Sequence, residues 1–215
     1  MRIAGIEEAG RGPVVGPMVM AICAIEKSKE NQLKKIGVKD SKQLSKKKRE
    51  YLVQKIKQLC QVDLIILSPK EIDAALNSAT MNLNLLEATT TTRLIDRIKP
   101  DKVILDLPSN NAQKYVASVK SNLKHDLDIK AEHKADENYP IVSAASIVAK
   151  TVRDKEIERL EVEIGKEIGS GYPSDARTIK FLNKYWDKHP EVFRQTWKTY
   201  KKVKRKKGQG TLSNY

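Results

Sequence analysis

GIEEAGRGPVVGP, residues 5–17, is the stretch of this chain that most constrains its fold. Two adjacent carboxylates, Glu7 and Glu8, end a short apolar run, and a Gly-Arg-Gly turn and a second apolar run follow. The glycines beside Arg11 suit backbone of positive φ or backbone that comes close to a ligand. The guanidinium is a fixed fork of donors for phosphate. Carboxylates beside such a turn make chemical sense when a divalent metal lies between acid and phosphate. The alternative is a tight hairpin with a solvated Glu pair.

Strands alternate with helices along the rest of the chain. Apolar runs predict strands at residues 1–6, 14–25, 62–67, 102–107 and 129–133. Capping signals and helical periodicity predict helices at 46–59 after Ser45, from Ser68-Pro69 onward, at 84–98 and from Pro140 to about Ile164. The basic remainder is predicted to be helical, ending in a Gly-containing tail. This alternation favours an α/β fold.

The composition indicates a single-domain protein with a polyanionic partner. The chain has 215 residues and a net charge of +14. Seven of the ten residues from Lys198 to Lys207 are Lys or Arg, although charge spread along helices is also typical of a solvated surface. Cys23 and Cys60 lie in apolar stretches and are predicted to be buried free thiols in a reducing cytoplasm. The sequence predicts neither a signal peptide nor a membrane span.

Four carboxylates lie at the ends of predicted strands or just before a helix: Glu7, Glu8, Asp106 and Asp136. Such positions meet at one edge of an α/β sheet, where ligands bind outside the carboxyl ends of the strands. Mg²⁺ or Mn²⁺ would relieve the mutual repulsion of clustered acids, and oxygen ligands suit these hard ions. Taken singly, Asp106 is also typical of a strand-end turn and Asp136 of a helix cap.

Several motifs together resemble one family, ribonuclease HII, the type 2 ribonucleases H. Residues 5–17 are similar to its signature GIDEAGRGPVxGP, and DSKQL at 40–44 is similar to DSK-x-L. NLNLLEA at 82–88, KAD at 134–136, VSAASIVAK at 142–150 with RD at 153–154, and GSGYPSD at 169–175 match further blocks. The blocks run in family order from residue 1 to about residue 200.

The resemblance implies a fold, an activity and a domain plan. The expected fold is a ribonuclease H-like mixed β-sheet flanked by helices, with a helical C-terminal extension. The expected segments are a catalytic domain at 1–165, a basic helical extension at 166–207 and a tail at 208–215. The implied enzyme is a cytoplasmic, monomeric endoribonuclease acting on RNA–DNA hybrids and on ribonucleotides in duplex DNA. Its four carboxylates would bind Mg²⁺ or Mn²⁺, and its products would carry a 5′-phosphate and a 3′-hydroxyl.

The chain departs from the family at Glu7, where the family has Asp. Glu is longer by one C–C bond, about 1.5 Å, and a misplacement of about 1 Å can cost around a hundredfold in rate. The alternative function is therefore a basic hybrid-binding protein whose acid cluster is catalytically impaired. A phosphotransfer enzyme is a weaker alternative, because no G-x-x-x-x-G-K-[ST] or G-x-G-x-x-G follows a strand.

The resemblance also implies how substrate is recognised. The Gly10-Arg11-Gly12 backbone would read the 2′-OH beside the cut, the group that distinguishes RNA from DNA. Tyr172 would stack on the following sugar, although a rim aromatic closing a turn is the competing interpretation. Four more residues resemble family positions that hold phosphates or 2′-OH groups: Lys42, Asn84, Ser146 and Lys150. For Ser146, a core-facing serine is the alternative.

The last seven residues, QGTLSNY at 209–215, fit the pattern Q-x-x-aliphatic-x-x-aromatic. This pattern resembles a sliding-clamp-binding peptide, in which Leu212 and Tyr215 would be hydrophobic anchors and Gln209 the leading polar residue. The second aromatic residue of strong versions is missing, and a disordered tail is the alternative.

Overall fold

A five-stranded mixed β-sheet forms the centre of the fold. The computed structural model describes residues 1–108 and 111–212, with side chains as far as residue 207. The strands are β1 (Arg2–Ala9), β2 (Met18–Glu26), β3 (Gln61–Leu67), β4 (Lys102–Asp106) and β5 (Asp128–Glu132), in the order β3-β2-β1-β4-β5. Central strand β1 runs antiparallel to β2 and parallel to β4, and β4 runs parallel to β5. The sheet is mixed, as the sequence predicted.

Helices follow the strands along the chain. Their bounds are α1 (Asn31–Lys35), α2 (Lys46–Leu59), α3 (Pro69–Asn77), α4 (Leu83–Ile98), α5 (Ala112–Lys120), α6 (Ala135–Asn138), α7 (Pro140–Ile164), α8 (Ala176–Tyr185) and α9 (Lys198–Leu212). Ser45 caps α2, and Ser68 forms a capping box with Glu71 at the start of α3, so both predicted helix starts are confirmed.

The chain forms two compact units. The first comprises residues 1–9, 19–66 and 82–152, and therefore contains nearly all of the sheet. Its core packs α2 and the first half of α7 on the sheet through fully buried residues such as Leu52, Ile56 and Val148. A Cβ on Gly5 would lie 2.5 Å from backbone atoms of Ile141, so glycine is required where α7 lies against β1.

The second unit comprises residues 10–18, 67–81 and 153–215. Its core is aromatic: Phe193 packs against Phe181 and Tyr200, with ring centroids 5.5 and 5.7 Å apart. Val15 pairs with Phe193 in an isolated bridge, which joins the loop after β1 to the C-terminal segment. The segment boundaries predicted at residues 165 and 207 stay a prediction.

The two strands around the Gly-Arg-Gly turn differ from the prediction. β1 extends to Ala9, so Glu7 and Glu8 lie within the strand, and β2 begins at Met18 instead of residue 14. Pro13 and Pro17 have no N–H to donate to a ladder, and Gly16 has a φ of +84°. The amides of Val14 and Val15 donate to the carbonyl of Gly171 within the second unit. Residues 14–17, which were predicted to begin the second strand, therefore lie in a loop.

Three smaller features complete the fold. Cys23 and Cys60 are buried and free, as predicted. Helix α9 continues through Gly208 and Gly210 to Leu212, where the sequence predicted a tail interrupted by glycines. Among the described residues, no helix combines the length and the apolar character needed to cross a bilayer.

Candidate active site

Strand β1 carries the first carboxylates of the candidate site. Side chains alternate between the two faces of a strand, so Glu7 and Glu8 point to opposite faces. Glu7 shares its face with Ile3 and Ala9, which belong to the core beneath α7, and Glu7 itself is buried. Glu8 is only half-buried. Glu7 and Glu8 are adjacent in the sequence, but their side chains therefore lie in different surroundings.

Asp106 and Asp136 lie on neighbouring elements of the same unit. Leu105 of β4 pairs with Ile6 of β1, so the next step along these parallel strands sets Asp106 beside Glu7. Asp136 lies in the short helix α6, which follows β5 after two residues. The backbone N–H of Ala135 donates to Asp106 Oδ1 at 2.7 Å, which ties the end of β4 to α6. The sheet pairing and this hydrogen bond bring the acids together.

Glu7, Asp106 and Asp136 form one group in which a carboxylate oxygen of each lies within 4.8 Å of the others. Glu7 Oε1 accepts from the N–H of Glu8 at 3.1 Å, whereas Glu7 Oε2 is buried and has no hydrogen-bond partner among the described residues. Burial is the first cause of a pKa for Glu7 well above its ordinary value, and the neighbouring carboxylates raise it further. Burial likewise raises the pKa of Asp136. Ionisation of Glu7 and Asp136 in this group is therefore unfavourable without a bound cation.

Lys42 supplies positive charge beside this group. Its Nζ lies 3.7 Å from Asp136 Oδ2, while 78% of its side chain is exposed. The carboxylate of Asp136 is the main cause of a raised pKa for Lys42, so the ammonium remains protonated. An exposed ammonium of this kind can bind an anionic oxygen.

The donor set fits a hard divalent cation. Three carboxylates with converging oxygens are ligands of the kind that Mg²⁺ and Mn²⁺ take. Buried polar atoms normally have a partner, whereas Glu7 Oε2 has none in residues 1–108 and 111–207, so this oxygen can accept a cation. A bound cation would also relieve the repulsion that raises the pKa of Glu7. Glu8 does not belong to the three-carboxylate group.

The Gly10–Gly12 loop belongs to the second unit, together with the residues that hold it. Gly10 has a φ of +82°, and a Cβ there would lie 2.7 Å from the carbonyl oxygen of Pro17. Arg194 donates to the carbonyl oxygen of Gly10 at 2.5 Å, and Trp197 Nε1 donates to that of Gly12 at 3.2 Å. Gly12 itself is exposed. Arg194 and Trp197 therefore hold the carbonyls of the loop, while Gly12 stays exposed to solvent.

Tyr172 lies beside this loop. A Cβ on Gly12 would be 3.6 Å from the Tyr172 ring. The guanidinium of Arg153 stacks on that ring 5.2 Å from its centroid, and it donates to the carbonyl oxygen of Ser170. Asp175 accepts from the N–H of Ser170 at 2.8 Å, which closes the turn that carries Tyr172. The ring is thus held by Arg153 and by its own turn, and it is only half-buried.

Ser146, Lys150 and Asn84 lie in the first unit. Ser146 is buried, and its Oγ lies 3.0 Å from Ser41 Oγ. Lys150 follows it by one helical turn on α7 and is half-buried. Asn84 is exposed in the first turn of α4 and helps to line a cavity of about 130 Å³. Tyr215 lies outside the described residues, as do the side chains of Gln209 and Leu212.

Sequence reasoning assigned no role here to Arg153, Arg194 or Trp197, although Arg153 begins the RD block that resembles the family. Arg153 and Arg194 are almost completely buried, which is unusual for arginine. The signal in the sequence was weak: Arg194 follows the apolar residues Val192 and Phe193, in a segment where Lys and Arg are common. A charged residue next to a buried apolar run can be either a solvated or a buried group.

Comparison with known proteins agrees with this fold. The family model described as ribonuclease HII matches residues 4–200. A ribonuclease HII of Pyrococcus abyssi is 43% identical, with 100% of this chain and 97% of that protein aligned. The crystal structure of the ribonuclease H2 from Pyrococcus horikoshii has a TM-score of 0.87 and 41% identity, covering 96% of this chain and 98% of that one. The structure of the PCNA:RNase HII complex from Archaeoglobus fulgidus has a TM-score of 0.84 and 38% identity, with 94% and 96% covered.

A ribonuclease H-like sheet with a carboxylate group defines a metal-dependent hydrolase of the ribonuclease H class. Within that class, this chain belongs to the ribonuclease HII family. The family and the fold predicted from the sequence motifs are both confirmed.

Proposed function

We propose that this protein is an endoribonuclease that cleaves the RNA strand of RNA–DNA hybrids and cuts at ribonucleotides embedded in duplex DNA. The group formed by Glu7, Asp106 and Asp136 is the observation that carries the proposal, because it brings carboxylate oxygens within 4.8 Å of one another, two of them on buried residues. Family membership supports a nucleic-acid substrate, and so does the net charge of +14, because cations that neutralise phosphates strengthen binding.

The proposed chemistry uses the carboxylates as ligands of Mg²⁺ or Mn²⁺, with Glu8 as a further ligand. When bound, two such cations would activate a water and stabilise the leaving 3′ oxygen, so the products would carry a 5′-phosphate and a 3′-hydroxyl. The protein's own contribution is positioning. Sheet pairing sets Asp106 beside Glu7, the N–H of Ala135 orients Asp106, and Lys42 offers its exposed ammonium to phosphate.

Substrate reading is proposed for the second unit. The backbone of Gly10, Arg11 and Gly12 would contact the 2′-OH beside the cut, and Tyr172 would stack on the next sugar. The fixed carbonyls of the loop and the arginine beneath the tyrosine ring support this proposal. Further contacts to phosphates or 2′-OH groups are proposed for Lys42, Asn84, Ser146 and Lys150.

Cleavage of an end-labelled DNA duplex with one ribonucleotide tests the proposal. We expect a single cut at the ribonucleotide with Mg²⁺ or Mn²⁺, no cut in excess chelator, and no cut in the matching all-DNA duplex. The products should carry a 3′-hydroxyl that a polymerase can extend. Full cleavage in chelator, or cleavage of the all-DNA duplex, would overturn the proposed reaction.

One observation favours the alternative of an impaired, hybrid-binding protein. Glu7 stands where the family signature has Asp, and its longer arm occupies a buried position. Under this alternative, Glu7→Asp raises the Mg²⁺-supported rate by roughly a hundredfold, with hybrid affinity unchanged. Mn²⁺ would partly restore the rate of the original chain, because it accepts more varied ligand geometry than Mg²⁺. Equal rates for the two chains would exclude this alternative.

A sliding clamp is the proposed protein partner, bound through Gln209, Leu212 and Tyr215. Support comes from the sequence pattern and from the Archaeoglobus fulgidus relative, which was solved in complex with PCNA. The Leu212→Ala, Tyr215→Ala double variant should lose clamp binding in a calorimetric titration and keep its cleavage rate. Unchanged affinity would place the clamp contact elsewhere. The enzyme is proposed to act as a monomer in the cytoplasm.

A further inference from the structure

A buried arginine lies beneath the Gly10–Gly12 loop. The guanidinium of Arg194 donates to the carbonyl oxygens of Gly10 at 2.5 Å, Arg11 at 2.8 Å and Gly16 at 3.1 Å. Burial lowers the pKa of Arg194 to about 9, with Arg153 as the second cause, so the group keeps its charge at neutral pH. The three carbonyl oxygens replace part of the hydration that the buried charge loses.

These contacts fix the direction in which the loop's N–H groups point. In a trans peptide, the C=O of one residue and the N–H of the next lie on opposite sides of the chain, and the described residues contain no cis peptide. The carbonyls of Gly10 and Arg11 turn toward Arg194, so the N–H groups of Arg11 and Gly12 turn away from it. Successive N–H groups that point the same way can bind a hydroxyl or anionic oxygen.

Arg194 is itself held in place. Its guanidinium stacks on the Trp197 ring, 4.9 Å from the centroid, and the indole Nε1 holds the carbonyl of Gly12 at 3.2 Å. The backbone N–H of Arg194 donates to the carbonyl of Val14 at 2.9 Å. The loop is therefore attached at five carbonyls. The Arg194 side chain holds three of them, its backbone N–H holds the fourth, and the stacked tryptophan holds the fifth.

We infer that Arg194 is the positioning residue of the substrate-reading loop: it aims the N–H groups of Arg11 and Gly12 at the 2′-hydroxyl of the ribonucleotide. This inference rests on the proposed function and deepens it. A planar group with five donors can meet three carbonyls at once, whereas the single nitrogen of lysine cannot keep the same fork geometry. Loss of Arg194 should therefore reduce discrimination between ribose and deoxyribose.

Binding measurements on the full chain test the inference. The Kd for a duplex with one ribonucleotide is compared with that for the matching all-DNA duplex, in chelator to prevent cleavage and at one salt concentration. We expect Arg194→Lys to reduce the ratio of the two Kd values roughly tenfold, less than the hundredfold that a 1 Å misplacement can cost. Trp197→Phe keeps the stacked ring and removes one hydrogen bond, so we expect a reduction of about threefold.

Tyr200→Phe is the matched control, since it removes a hydrogen bond from Tyr200 to the carbonyl of Trp186 in the same core. It should lower Tm and leave the Kd ratio unchanged. If Arg194→Lys does not fold, Trp197→Phe decides the matter. A preference for the ribonucleotide that both folded variants keep within twofold overturns the inference and leaves the proposed function standing. No preference in the unmodified chain overturns both.

Discussion

The carboxylate group and the arginine-held loop bury charge in opposite ways. In the first, Glu7, Asp106 and Asp136 repel one another, and within the part of the chain that the structure describes Glu7 Oε2 has no hydrogen-bond partner. In the second, Arg194 is surrounded by carbonyl oxygens that accept its hydrogen bonds. The carboxylates are therefore strained until a cation binds, whereas the loop is complete before any ligand arrives.

This difference separates the stability of each region from its function. Neutralising a carboxylate should stabilise the metal-free protein while it removes a ligand, which is the exchange of stability for activity seen at many active sites. Changing the loop's supports should lower stability and substrate discrimination together. A variant that gains stability in the metal-free protein therefore indicates a site that depends on its ligand, and a variant that loses stability indicates a preorganised site.

The largest effect is expected for Asp136→Asn. The change removes one charge from the carboxylate group and keeps the side chain's size, so the Mg²⁺-supported cleavage rate should fall on the order of 10²–10³-fold. Asp128→Asn is the matched control, because Asp128 is exposed and pairs with Lys102 on the sheet edge. Initial rates on the single-ribonucleotide duplex measure both. Equal losses in the two variants would show that the effect is not specific to the group.

A smaller effect is expected for Tyr172→Ala. Loss of a stacking surface should reduce cleavage at a single-ribonucleotide junction about tenfold and cleavage of a continuous hybrid much less. Tyr51→Ala is the control, since Tyr51 is an exposed tyrosine on α2 that lies under Lys48 and Lys55. Equal loss on both substrates would make Tyr172 a packing residue of its turn.

The smallest binding effect is expected from the exposed cations of α9. Tyr200 and Val203 pack into the core of the second unit, so truncation from Lys198 would remove core residues as well as charge. Lys204→Gln with Arg205→Gln removes charge alone. The slope of log Kd against log salt should fall by roughly 1–2, because each phosphate contact contributes about 0.9.

The control for this pair is Lys120→Gln with Lys124→Gln, which removes two exposed charges from the other unit. The slope of log Kd against log salt for this control should stay within about 0.5 of that of the original chain, because we expect it to lose less than one phosphate contact. If both double variants change the slope equally, the charges of α9 act only through the overall charge of the protein.

Local patterns predicted the members of the carboxylate group better than the bounds of the strands around them. Apolar runs and motif positions identified Glu7, Asp106 and Asp136, because strand ends in an α/β sheet meet at one edge. The same patterns placed the second strand four residues too early. Whether Val14 joins a ladder depends on the carbonyl of Gly171, a partner more than 150 residues away in the sequence.

The supports of the loop could not be predicted for the same reason. Arg194 and Gly10 are separated by 184 residues, and no periodicity near Arg194 shows that its guanidinium is buried under a glycine loop. The separation of Glu7 from Glu8 was available from strand alternation. It was missed because the predicted strand ended at residue 6, which left both acids in a turn with no fixed direction.

The most direct test of the central claim, that Glu7 belongs to a cation-binding carboxylate group, is the Tm of Glu7→Gln with and without Mn²⁺. The pKa of Glu7 is raised, so its ionised form destabilises the fold at neutral pH. Gln keeps an acceptor for the N–H of Glu8 and removes the charge. We predict a metal-free Tm a few degrees above that of the original chain, since about 1 kcal/mol shifts Tm by about 2–4 °C at this size. The rise in Tm that Mn²⁺ gives the original chain should be lost. A variant with a lower metal-free Tm that keeps the full Mn²⁺-dependent rise would contradict the claim.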